Sequence, residues 1–159
     1  MGLTRTKAMG RRELGSYVAL PHAVLNHENF IRLHAHSVKL LIDIYAQYRG
    51  YNNGNLCAAF SVMKKRGWKS KAQLQKALKE LKQIGWLLVT RQGGRNKPNL
   101  YAVTFQAIDE CGGKLDISPT IASPGNWRLP VPENKTCAPN TGQVGTPGGS
   151  TTTKSQSAA

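Results

Sequence analysis

Between Lys64 and Lys97 the chain carries eleven Lys or Arg residues and a single acid, Glu80. The chemistry open to such a stretch is electrostatic: it can neutralise a polyanion. Lys76 and Lys79 stand three residues apart and repel each other on a helix, and the neighbouring Glu80 offsets little of that. An external polyanion is the simplest source of relief. Most of the formal net charge of +14 is concentrated here. With a pI of about 10.1, the chain calls first for nucleic acid and second for an acidic membrane surface.

An element must hold these cations on one side. Ser70 and Gln73 form an S-x-x-Q capping box, and Gly85 is a C-terminal stop, so the sequence predicts a helix between them. Leu74, Ala77, Leu78, Leu81 and Ile84 recur every three or four residues and make one apolar face. The opposite face carries Lys69, Ala72, Lys76, Lys79 and Gln83. Lys71 and Gln75 flank it, and Gln73 lies near the helix start. Downstream, Trp86–Thr90 and Leu100–Phe105 read as two strands joined by RQGGRNKPN, with Gly93-Gly94 at the bend. This places Arg91, Arg95 and Lys97 near a hairpin tip.

Other chemistries lack their residues. Cys57, Cys111 and Cys137 are odd in number and form no CxxC pair, which suggests a reducing compartment rather than a disulfide scaffold. His22 with His27 and His34-x-His36 are the only histidine clusters, and neither has zinc-site spacing. QGGRNK is glycine-rich and basic but lacks the P-loop pattern, and it joins two strands. Ser, His and Asp occur without a nucleophile-elbow context. Asp109 and Glu110 are adjacent but need not face each other. No enzyme, metal, cofactor or small-molecule substrate is expected. No apolar run approaches the roughly 18 residues of a membrane span. The first sixteen residues have charge but no apolar core, so no secretory signal is read. Met1-Gly2 with Thr6 formally fits a myristoylation pattern, but no second anchor accompanies it.

At 159 residues, 40% of them hydrophobic, the chain has room for one domain of about 100 residues and a tail. Residues 1–15 are basic through Arg5, Lys7, Arg11 and Arg12. They read either as a solvated terminus or as an arm lying along a phosphate backbone or in a minor groove. Residues 16–111 form the domain. Tyr17–Leu20 is a short β-type run. Pro21 opens one or two helical turns with Ala23, Val24, Leu25, Phe30 and Ile31 as core candidates. An amphipathic helix follows from about His36 to Arg49, with Val38, Leu41, Ile42, Tyr45 and Tyr48 inward and Leu40 and Ile44 beside them. YNNGN is a turn, and Asn55–Cys57 is a candidate for a very short strand. Ala58–Arg66 is a second helix with Phe60, Val62 and Met63 inward, and Trp68 is a core plug at the turn after it. From Gly112 to Ala159, Pro, Gly, Ser, Thr and Asn dominate. Trp127, Leu129 and Val131 are isolated there, so the composition predicts a disordered tail. A short recognition motif around Gly125–Pro132 is the alternative.

The order helix, short strand, helix, basic helix, hairpin is that of a winged helix-turn-helix: an α+β, mainly α fold with a three-helix core and a two-stranded wing. Over residues 17–110 the sequence resembles a family of small helix-turn-helix proteins found on prophages, plasmids and integrative elements of proteobacteria. The most specific pieces are Gln47–Gly54, Arg66-Gly67-Trp68 and Tyr101-Ala102-Val103-Thr104. One departure is His34, where the family usually has Ser after the Leu that opens the first long helix. That leaves the helix without an obvious N-cap.

The resemblance and the charge together imply a cytoplasmic, nucleoid-associated protein that binds double-stranded DNA and regulates transcription on a mobile element. Lys65, Lys69, Ser70, Lys71, Gln73, Gln75, Lys76 and Lys79 are the expected contacts, with Gln73 and Gln75 reading adenine edges and the lysines holding phosphates or guanine. Arg91, Arg95 and Lys97 would reach backbone or minor groove. Replication initiation or plasmid maintenance is the alternative on the same fold. An adaptor that docks an acidic protein is the alternative of another class. RNA binding is disfavoured by the lack of an RNP-like aromatic platform. Whether the chain acts as a monomer or a homodimer is left open.

Overall fold

The computed structural model describes residues 16–131. They form five α-helices, two short 3-10 helices (Cys111–Gly113 and Asn126–Arg128) and a small three-stranded antiparallel sheet. Two single-turn helices come first, α1 (His22–Leu25) and α2 (Glu28–Ile31). The long helix α3 (Ala35–Tyr45) follows, then β1 (Leu56–Cys57), α4 (Phe60–Lys64), α5 (Lys71–Ile84), β2 (Leu87–Arg91) and β3 (Leu100–Val103). The N-terminal arm lies outside the described residues.

The first long helix is shorter than its periodicity predicts. Past Tyr45 the chain tightens into a turn, with Gln47 N donating to Ile44 O and Tyr48 N to Tyr45 O, which serves the last helix carbonyls. The Asn52 carboxamide holds the turn that follows: it accepts from Arg49 N at 2.6 Å and donates to Gln47 O at 2.9 Å. Leu40, Leu41, Ile44 and Tyr45 form its buried face. The periodicity places Ile42 inward, but it is 40% exposed. It lies about 100° round the helix from Leu41, whereas Ser37, Leu41 and Ile44 mark the centre of the buried stripe. Ile31 and Val62, also core candidates by sequence, are exposed. Both sit on helices of one turn or little more, too short for a periodic face to define what is covered. Trp68 is buried in the core, as the sequence predicts.

The hairpin is not two-stranded: β1 completes the sheet, in the order β1-β3-β2. Leu56 pairs with Tyr101 and Cys57 with Leu100. Two residues suffice because the free edge of β1 is finished by a side chain. Gln47 donates to Cys57 O at 2.9 Å and accepts from Cys57 N at 3.1 Å, so its carboxamide stands where another strand's peptide would. Asn53, wholly buried, joins the turn before β1 to the end of β3. Its Oδ1 accepts from Val103 N at 2.9 Å, and its Nδ2 donates towards the carbonyls of Val103, Gln106 and Ala107.

The expectation of disorder from Gly112 is corrected over residues 112–131, which lie against the domain. Trp127 is 3% exposed and stacks on Trp86, which is fully buried. Gly125 N donates to Thr104 O and Asp116 N to Thr90 O. Asn29 Nδ2 donates to the carbonyls of Trp127 and Leu129. One large aromatic anchor and a few backbone bonds hold the segment, an arrangement invisible to average composition. Residues 132–159, the rest of the expected tail, lie outside the described residues.

Candidate nucleic-acid interface

Helix α5 begins and ends where the sequence places it. Ser70 Oγ accepts from Gln73 N at 3.3 Å, and Gly85 takes the left-handed conformation at φ 92°. A side chain at Gly85 would also strike the segment around Trp127, since a Cβ there would lie 2.8 Å from Asn126 O. Leu74, Ala77, Leu78 and Leu81 are buried. Lys69, Lys71, Ala72, Gln75, Lys76, Lys79, Lys82 and Gln83 are exposed. Among the described residues, none of these lysines has a carboxylate within 4.0 Å. Lys65 is exposed just past α4 and is likewise without an acidic partner among them.

Glu80, the lone acid of the stretch, is withdrawn from the lysines. Its Oε1 accepts from His34 N at 3.2 Å and lies 3.0 Å from His34 Nδ1, and its Oε2 accepts from Ser37 Oγ at 2.5 Å. His34 makes no side-chain cap of its own. The carboxylate of α5 instead stands at the N-terminus of α3, where its negative charge is favoured by the helix dipole. Burial pushes the Glu80 carboxyl up, but the hydrogen bonds from Ser37 and His34 outweigh it and hold the group below its ordinary range.

Gln73 is also turned towards α3. Its Nε2 lies 2.5 Å from Nε2 of His36, which engages its carboxamide in the free protein. Gln75 has no such tie among the described residues. Of the two glutamines expected to read bases, the structure leaves Gln75 on the open side of the helix.

The hairpin tip is a two-residue turn. Gly94 N donates to Lys97 O at 3.0 Å and Lys97 N to Gly94 O at 3.2 Å. Asn96 takes φ 64° between them, a conformation Asn tolerates better than most residues. Gly93 permits the close approach of the two arms, since a Cβ there would lie 2.5 Å from Lys97 O. Arg95 and Lys97 are exposed at the tip, whereas Arg91 is half-buried. Arg91 donates through Nη2 to Pro98 O at 3.4 Å, so its guanidinium lies along the hairpin, apart from the other two.

Beneath this surface lies a cluster the sequence reading missed. Asp43, on α3, accepts from Lys39 Nζ at 2.5 Å, from Trp68 Nε1 at 2.8 Å and from Arg66 Nε at 2.9 Å. Burial raises its pKa, but the three donors together hold the carboxyl below its ordinary range. Asp43 and Trp68 are 25 residues apart in the chain, so no local pattern joins them. The one available signal was that Lys39 and Asp43 stand at i,i+4 on a helix.

Among the described residues no group of three or more His, Cys, Asp or Glu side chains is placed to hold a metal ion. Burial and the nearby Asp109 charge push the Cys111 thiol up, away from the thiolate that would act as a nucleophile. No described helix is long and apolar enough to cross a membrane. No protein-family model, curated protein or solved structure matches the chain.

Proposed function

We propose that this protein binds double-stranded DNA and regulates transcription of a mobile genetic element by occupying a site, without turnover. The observation that carries this reading is the separation of charge on α5. Lys69, Lys71, Lys76 and Lys79 are exposed and without acidic partners among the described residues, while Glu80 is drawn to α3. A helix with its side chains is about 10–12 Å across, and the major groove is about 12 Å wide. The element order and the sheet order β1-β3-β2 support reading α4, the turn and α5 as a helix-turn-helix and the β2–β3 hairpin as its wing. On this reading Gln75, with Lys79, approaches base edges, and Ala72 offers a methyl to thymine. Lys65, Lys69, Lys71, Lys76, Arg95 and Lys97 hold phosphates.

The test is a salt titration of duplex affinity, followed by selection from random duplexes. If five to eight phosphates are neutralised, the log–log slope is about −4 to −7. A slope near zero sinks the polyanion reading. A steep slope with no sequence enriched in the selection favours an adaptor that docks an acidic protein.

A further inference from the structure

We propose that Asp43 is a positioning residue and charge sink for the basic face: it draws Lys39 and Arg66 away from DNA and anchors, through Trp68, the turn that leads into α5. This rests on the DNA-binding reading above.

The geometry is that of a junction. Asp43 is 7% exposed, and three donors from two segments converge on its two oxygens. Oδ2 accepts from Lys39 and Trp68, and Oδ1 accepts from Arg66. Lys39 Nζ donates again, to Arg66 O at 3.0 Å, and stands 5.3 Å from the centre of the Trp68 ring. Arg66, Gly67 and Trp68 form the turn between α4 and α5, with Gly67 at φ 90°, and Ser70 caps α5 two residues later. The path by which the chain enters α5 is therefore tied to α3 through one carboxylate.

The charge consequence is separate from the bracing. Arg66 follows Lys64 and Lys65 in the chain and precedes Lys69, and the Arg66 and Lys39 side chains are 39% and 48% exposed. Released from Asp43, each would add a cation to a surface that already has many. Extra unpaired cations strengthen binding to every duplex alike, because phosphate contacts carry no sequence information. By holding two of them, Asp43 limits non-specific affinity and leaves the α5 and wing cations to set the binding.

The experiment uses the full chain. Salt slopes are measured for the wild type and for Arg66→Gln, Lys39→Gln, Lys76→Gln and Asp43→Asn, on a selected duplex and a scrambled one. Lys76→Gln is expected to lower the slope by about one. Arg66→Gln and Lys39→Gln are expected to leave it unchanged. Asp43→Asn is expected to raise it by about one to two and to narrow the gap between the two duplexes. In the same variant one indole N–H resonance should shift, namely the one missing from the spectrum of Trp68→Phe. If Arg66→Gln lowers the slope as much as Lys76→Gln does, Arg66 is a phosphate contact and the proposal is overturned. It is equally overturned if Asp43→Asn keeps the wild-type slope and loses affinity only in step with its thermal midpoint. Should Asp43→Asn fail to fold, the Lys39 and Arg66 slopes decide alone. A wild type with no salt dependence fails the DNA reading itself, a result distinct from a normal wild-type slope with a sensitive Arg66.

Discussion

Trp127 lies on Trp86 with ring centroids 5.3 Å apart and planes 18° from parallel. His27 meets the outer tryptophan edge-on at 4.8 Å, and Arg128 stands over the same ring at 4.7 Å. A residue from the region that composition marks as tail thus closes one side of the core. Its removal should behave as a core truncation. Trp127→Ala is expected to cost about 3–5 kcal/mol, and a chain ending at Gly113 should lose at least as much. Thermal melts of both decide the matter, and a wild-type midpoint for the shortened chain would show that the stacking adds nothing.

Asn53 should be a costly polar position to truncate. Asn53→Ala strands the buried Val103 N–H together with carbonyls that Nδ2 now serves. At about 1–3 kcal/mol for each buried group left unpaired, the loss should be at least about 2 kcal/mol. Urea denaturation would measure it. A loss below about half that figure would mean that water reaches these groups once the side chain is gone.

The two glutamines of α5 should differ in kind. Gln75→Ala is expected to change which duplexes are preferred, by about 1–3 kcal/mol at one base pair. Gln73→Ala should do so far less, since His36 engages its carboxamide. Arg95→Ala should weaken all duplexes nearly equally and lower the salt slope by about one. Binding of each variant to a matched and a scrambled duplex separates these outcomes. A specificity change confined to Gln73→Ala or Arg95→Ala would place the reader elsewhere.

Acid should unfold the domain partly through two carboxylates. Asp43 and Glu80 are both held below their ordinary values in the fold. Such groups stabilise above the unfolded pKa, and the contribution is lost as pH falls through the folded one. With ordinary values of about 3.9 and 4.3, stability should be level down to about pH 5 and fall steadily below about pH 4. Glu80→Gln, which cannot gain this charge, should show a shallower acid limb in midpoints taken across that range. Parallel limbs for the wild type and the variant would remove Glu80 from the account.

The sequence by itself determined the elements whose signals are local. Helix α5 was legible because its cap, its stop and its apolar stripe all lie within sixteen residues, Ser70 to Gly85. The strands β2 and β3, the buried Trp68 and the concentration of cations between Lys64 and Lys97 were legible for the same reason. What only the tertiary structure decided depends on residues far apart in the chain. Gln47 finishes the edge of β1 and so lets two residues serve as a third strand. Glu80 takes over the charge at a helix start where His34 makes no side-chain cap, 46 residues away. Trp127 packs on Trp86 although its own neighbourhood is polar and rich in turns. In each case one side chain meets a backbone group or ring supplied by the folded surface, and periodicity and composition, which average over neighbours, carry no record of such a partner.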